Sequence, residues 1–174
     1  MKYYLIPLCV FLFSGCIATK PDLPVRGIYP AVYTYKSSKS FEDVWSNVID
    51  VFAQKGLPIK IIDKSSGLIV SESILMSATN ELKTLKLKDS TDYVVIPKKY
   101  NASQNKYSAL ANIPVRGEWN VRIKKTDSCT LINVNIVNIE ERYTNPQNGV
   151  VQWENVAGFK STGIFETTIA DLIK

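Results

Sequence analysis

The chain contains no histidine. That absence removes the commonest general base, the commonest metal ligand and the usual switch near neutral pH. Neither a Ser-His nor a Cys-His nucleophile pair can be assembled. Cysteine is scarce as well. Cys9, Cys16 and Cys129 are scattered, so no Cys/His cluster of the kind that holds zinc exists. Long hydrophobic runs are also missing: the one extended apolar stretch, Tyr3 to Phe13, falls short of the roughly 20 residues that a spanning helix needs. Charge is not concentrated. The net charge is +5, but lysines and arginines are spread along the chain, whereas a nucleic-acid binder gathers them on one face or segment. No phosphate loop, calcium loop or internal repeat is present. These absences predict a protein that is not an enzyme, takes no cofactor or metal and binds no nucleic acid. A basic balance of this size suits a weak attraction to anionic lipid headgroups.

What is there begins with the first 20 residues. Lys2 supplies a positive start, the apolar run follows, and Ser14 and Gly15 are small residues just before Cys16. This order matches a secretory signal with its cleavage site. Phe13-Ser14-Gly15-Cys16 resembles the lipobox of bacterial lipoproteins, with phenylalanine where leucine is usual and Leu12 next to it. The resemblance implies that residues 1–15 are a signal peptide, that Cys16 becomes the mature N-terminus, and that its thiol carries a palmitate-type diacylglycerol anchor. Two or more acyl chains hold a protein stably in a bilayer, where one does so only marginally. In some bacteria an aspartate after the cysteine directs retention in the inner membrane. Ile17 stands there instead, so the resemblance implies the outer membrane, with the domain on the periplasmic side. Cys9 leaves with the signal and Cys16 is modified, so Cys129 is left without an internal disulfide partner.

Residues 16–30 hold Pro21, Pro24, Gly27 and Pro30 with little periodic hydrophobicity, and read as a flexible tether. Fully extended, such a segment spans roughly 50 Å at about 3.3 Å per residue. With 45% hydrophobic residues, the remainder is sufficient for one domain with a buried core, over 31–174.

Residues 31–38 alternate as a strand. The clearest helix follows, with Ser40 as its N-cap and an apolar stripe of Phe41, Val44, Trp45, Val48, Val51 and Phe52, ended by Gly56 and Pro58. Residues 59–74 read as a hairpin turning at Asp63 to Gly67. The stretch 75–113 is less regular: LKLK at 85–88 suits a strand or the end of a short helix, DYVVIP a strand, and 98–114 a long loop. A second hairpin is expected over 116–143, with Trp119, Val121, Ile123, Ile132, Val134 and Ile136 on one face. Arg122, Lys124 and Asn133 lie on the other face, and the pattern slips at Val137-Asn138 as at a bulge or a strand end. Glu140 and Glu141 are adjacent, so on a strand they point apart and cannot share acid-base work. VVQWENV suits one more strand. Residues 160–174 read as a helix capped by Ser161 or Thr162, with Gly163 in its first turn and Phe165, Ile169, Leu172 and Ile173 on its apolar side.

The order of elements predicts an α+β fold: two layers, an antiparallel sheet with an N-terminal-side helix and a C-terminal helix packed on one face. The layout, carried by FEDVWSNVIDVFAQKGLPIKIIDKSSGLIVSE, GEWNVRIKKTDSCTLINVNI and STGIFETTIADLI, resembles the helix-grip domains of BamC (NlpB)-like outer-membrane lipoproteins. As a site residue the resemblance carries over Cys16 alone. Two functions are expected from this set of features. One is a membrane-anchored, non-enzymatic module that contacts another envelope protein. The alternative is a carrier or sensor of a small envelope ligand, a lipid or peptidoglycan fragment, in a sheet–helix cavity lined by Tyr33, Tyr35, Tyr93, Tyr100, Tyr107, Trp119 and Trp153.

Overall fold

A computed structural model of the chain describes residues 20–25, 29, 33–80, 93–101, 104–107, 113–145 and 147–173. The expected signal peptide, Cys16, much of the expected tether and LKLK at 85–88 lie outside the described residues.

The molecule is built on one long hairpin, β8 (Ile113–Lys125) and β9 (Thr130–Thr144). Each of its outer edges is shared by two shorter strands. Along β8 run β4 (Ile74–Thr79), paired with 113–117, and β3 (Leu68–Ser71), paired with 120–122. Along β9 run β1 (Tyr33–Ser37), paired with 130–134, and β10 (Val151–Asn155), paired with 140–144. The sheet is completed by β2 (Ile59–Asp63) beside β3, β5 (Val94–Val95) parallel to β4, and β11 (Lys160–Ser161) beside β5. A separate small hairpin joins β6 (Tyr100–Asn101) and β7 (Lys106–Tyr107). Helices α1 (Phe41–Gln54) and α2 (Ile164–Ile173) contact each other and the same sheet face. The fold is the expected two-layer α+β arrangement, with a largely antiparallel sheet.

Alternation explains the layering. Trp119, Val121, Ile123, Ile132, Val134 and Ile136 are buried beneath the helices, while Arg122 and Lys124 are exposed on the open face. Helix α1 starts at Ser40, whose Oγ accepts from the Asp43 N–H at 3.1 Å, and Val44, Trp45, Val48, Val51 and Phe52 are all buried. Trp119 stacks on Phe165 of α2 with ring centroids 3.7 Å apart, and Tyr93 meets Trp119 edge-on at 5.6 Å.

The slip at Val137-Asn138 is a bulge. Glu118 pairs with Val137 and Arg116 with Glu140, leaving Gly117 to face both Asn138 and Ile139. Asn138 takes φ +54, a left-handed conformation that asparagine tolerates. The extra residue lets Ile139 turn inward three positions after Ile136.

Three readings of the sequence need correction. The long loop expected over 98–114 contains the β6–β7 hairpin and the start of β8, and β4 was not anticipated. The cap of α2 is Gly163, whose carbonyl accepts from the Thr167 N–H at 2.9 Å; it lies before the helix at φ +86. A Cβ at Gly163 would come within 2.7 Å of the Tyr33 hydroxyl, so glycine is required by both its angle and its neighbour. The buried face of α2 is also rotated. Glu166 and Ala170 join Phe165 and Ile169 inside, and Leu172 is 46% exposed.

Candidate functional site

Cys16 is outside the described residues, but residues 20–23 are fixed to the domain. Leu23 and Lys98 exchange two backbone hydrogen bonds, of 3.0 and 3.1 Å. The Tyr107 hydroxyl donates to the Pro21 carbonyl at 3.0 Å, and the Lys20 ammonium lies 4.8 Å from the centre of the Tyr100 ring. Tyr100 and Tyr107 brace each other edge-to-face at 5.2 Å. The tether expected over 16–30 is therefore docked to the domain at Lys20, Pro21 and Leu23. Proline-rich chain has few internal hydrogen bonds of its own, so its carbonyls are available to such a partner.

The docking point fixes one pole of the molecule. Lys99, beside Lys98, ion-pairs with Glu141, which lies opposite Val115 on β8. From Val115 to Lys125 the strand runs roughly 30 Å. At that far pole three loops surround a groove of about 620 Å³. One wall is the start of α1, one the β2–β3 turn, and one the β8–β9 turn. Asp63 organises the second wall: its carboxylate accepts from the Ser65 N–H at 2.9 Å and the Ser65 hydroxyl at 2.6 Å. Those donors, and Ser66 after them, pull its pKa down to about 2. Gly67 then clips the turn to β8 by accepting from the Ile123 N–H at 2.8 Å.

The lining of the groove mixes apolar surface with basic and hydroxyl side chains. Lys39, Lys64, Lys124 and Lys125 contribute to it with several hydroxyl side chains, and Glu42 is its one acidic residue, 2.5 Å from Lys64. Cys129 also lines it, half-buried, with Sγ 3.3 Å from the Thr126 hydroxyl. The sequence placed Lys124 on the solvated face, which it occupies; its convergence with Lys39 and Lys64 was not legible, because they come from other loops.

The open sheet face carries two polar networks. Lys60 Nζ is 2.7 Å from Glu118 Oε1, and the Asn138 amide donates to Glu118 Oε2 at 3.0 Å. The Lys60 contact, helped by Asn138, holds the Glu118 carboxyl below its ordinary value against its burial. Arg116 pairs with Glu140 and stacks 4.6 Å from the Trp153 ring centre. Glu140 and Glu141 thus serve different partners, Arg116 and Lys99, as their opposite directions require.

The seven aromatic residues considered as a cavity lining do not converge. Tyr100 and Tyr107 hold the docked segment, Trp153 covers Arg116, and Tyr93 and Trp119 border a gap of about 150 Å³. Tyr33 borders another, of about 170 Å³, together with Glu166, and Tyr35 packs against the core. Glu166 is wholly buried. Its Oε1 accepts from the Ser161 hydroxyl at 2.5 Å, while Oε2 has no partner among the described residues. Burial pushes the Glu166 carboxyl up; burial, and then Glu166 itself, push the Tyr33 phenol to about 12. Sequence reading missed Glu166. The available signal was spacing, since Ile169 and Ala170 follow it by three and four residues on the buried face.

Among the described residues, no group of three acidic, cysteine or histidine side chains is placed to hold a metal, and no helix is long and apolar enough to cross a membrane. No family model matches the chain, and no curated protein matches it.

Proposed function

We propose that this chain is a membrane-anchored envelope lipoprotein, fixed through Cys16, that acts without catalysis by presenting its distal groove to another envelope protein. The observation that carries this reading is the polarity of the molecule. The segment after Cys16 is docked at one end of the β8–β9 hairpin, and the lysine-rich groove lies roughly 30 Å away at the other. An anchor at the first pole turns the groove away from the bilayer. The four lysines of the lining, with Glu42 their one acidic counterpart inside it and Asp43, Asp63 and Asp127 beside it, favour an acidic segment of the partner, because charge complementarity steers encounter and sets register. The outer membrane, with the domain in the periplasm, remains the location implied by Ile17 after the modified cysteine.

The alternative, a carrier or sensor of a small envelope ligand (a lipid or peptidoglycan fragment) in a sheet–helix cavity, has less support. The gaps of about 170 and 150 Å³ beside α2 are smaller than the roughly 300–1,000 Å³ of sites that enclose drug-sized ligands.

The test is affinity purification from detergent-solubilised membranes, comparing the parent with the Lys124→Glu/Lys125→Glu variant. A partner recovered with the parent and lost from the variant is the expected result. No partner in any of several detergents would overturn the interaction reading. Separately, a Cys16→Ser variant should leave the membrane fraction. If it pellets as fully as the parent, the anchor is refuted.

A further inference from the structure

The gap between Tyr33 and α2 has a chemistry that the interaction reading does not use. It measures about 170 Å³ and is lined by Tyr33, Phe159, Lys160, Ser161 and Glu166, with the edge of β9 at Asn135 and Ile136 behind. At roughly 30 Å³ per water it holds a group of only a few heavy atoms. Glu166 is fully buried there, with one oxygen committed to Ser161 and the other unpartnered among the described residues. An ionised carboxylate in that position is costly unless a cation or donor meets it. Gly163, Tyr33 and Ser161 hold the geometry rigid: Ser161 Oγ accepts from the Gly163 N–H at 3.1 Å while donating to Glu166.

We infer that this gap is a binding site for a primary ammonium group, received by the free oxygen of Glu166 and bordered by Tyr33 and Phe159. The carboxylate supplies the charge and accepts an N–H. Aromatic residues beside a cation add attraction through their ring quadrupoles. A divalent metal fits poorly, since Glu166 is the one carboxylate in the lining. Lys160, exposed at the rim, is the competing cation of the protein itself. The ammonium has two possible sources, a free small amine or a lysine tip of a bound protein, and the chemistry is common to both.

The test is an NMR titration of the full-length protein in detergent, following the Glu166 carboxyl carbon and the amides of Ser161 and Gly163. Methylammonium should give saturable shifts with a dissociation constant on the order of 10 mM. Tetramethylammonium at the same ionic strength, which has the charge but no N–H, should give none. Glu166→Gln should weaken the response at least about tenfold. The tetramethylammonium arm needs no variant, so a misfolded Glu166→Gln protein would not leave the site undecided. Saturation by Gly-Lys-Gly as well as methylammonium assigns the site to a lysine side chain; saturation by methylammonium alone assigns it to a free amine. The inference fails if neither probe saturates, if tetramethylammonium acts equally, or if methylammonium acts only after Lys160→Met. In that last case the protein's own lysine fills the gap.

Discussion

The Ile123 carbonyl oxygen occupies the space a side chain at position 67 would need: a Cβ on Gly67 would lie 1.9 Å from it. Gly67 also sits at φ +70 and accepts the Ile123 N–H, so the β2–β3 turn and β8 are locked by backbone alone. Gly67→Ala must both adopt a left-handed angle, at about 1–2 kcal/mol, and push the turn away from β8. The expected loss is about 3 kcal/mol or more, read by urea unfolding. An unchanged midpoint at unchanged slope would contradict the contact.

The Lys60–Glu118–Asn138 network predicts a pH dependence. Glu118 is held below its ordinary value, and Asp63 at about 2. A lowered carboxylate stabilises the fold above its unfolded pKa, and that contribution is lost as pH falls through the folded value. The share contributed by these two carboxylates should therefore be level from neutral pH down to about 5 and should decline below that. Glu118→Gln should flatten part of the decline and cost about 1–2 kcal/mol at pH 7. Lys60 is shifted upward by the same contact, so its contribution is present below its unfolded pKa and disappears as pH rises through the folded one. Denaturation curves across pH for both proteins check the sign.

Glu166 has the opposite sign. Its carboxyl is raised by burial, so the native state holds the proton more tightly than the unfolded chain, and stability falls as pH rises from the unfolded value to the folded one. The neutral isostere Glu166→Gln should be at least as stable as the parent near pH 8 and should lose this slope. A variant clearly less stable than the parent at pH 8 would show that the carboxylate is already compensated.

Phe165 joins α2 to the sheet through its stack on Trp119 and its edge contact with Phe52 at 6.5 Å. Phe165→Ala should cost about 3–5 kcal/mol and reduce the near-ultraviolet circular dichroism of the buried tryptophan. A loss below about 1 kcal/mol would mean the site collapses around the gap.

The docked segment can be tested without unfolding the domain. Leu23→Pro removes the N–H that bonds to the Lys98 carbonyl. Exchange of the Lys98 amide, which donates to Leu23, should accelerate at least about tenfold, while the Val121 amide in the middle of β8 should be unaffected. Equal protection of Lys98 in both proteins would argue against the pairing.

Legibility in the sequence followed the range of the interactions. Helix α1 was read correctly because Ser40 and the stripe from Val44 to Phe52 act within a few residues of one another. The faces of β8 and β9 followed from alternation, and the interruption at Asn138 was visible as a break in it. The β6–β7 hairpin was not legible. Its strands are two residues each, and the bonds that steady it come from Pro21 and Lys20, some 80 residues away in sequence. Glu166 was overlooked because a carboxylate on a helix is ordinarily turned to water, and only the Ser161 hydroxyl and the Tyr33 neighbourhood show where it faces. The groove needed three loops brought together, which no local pattern encodes.

The bulge at Asn138 leaves the ladder in step on both sides, with Val137 opposite Glu118 and Glu140 opposite Arg116. Excising Asn138 would therefore close the ladder without moving any later partner, and exchange at 140–144 should stay slow. What would go is the curl of the ribbon, which lets its outer margin carry β1 along one half and β10 along the other. The additional amino acid encodes curvature, and pairing is indifferent to it.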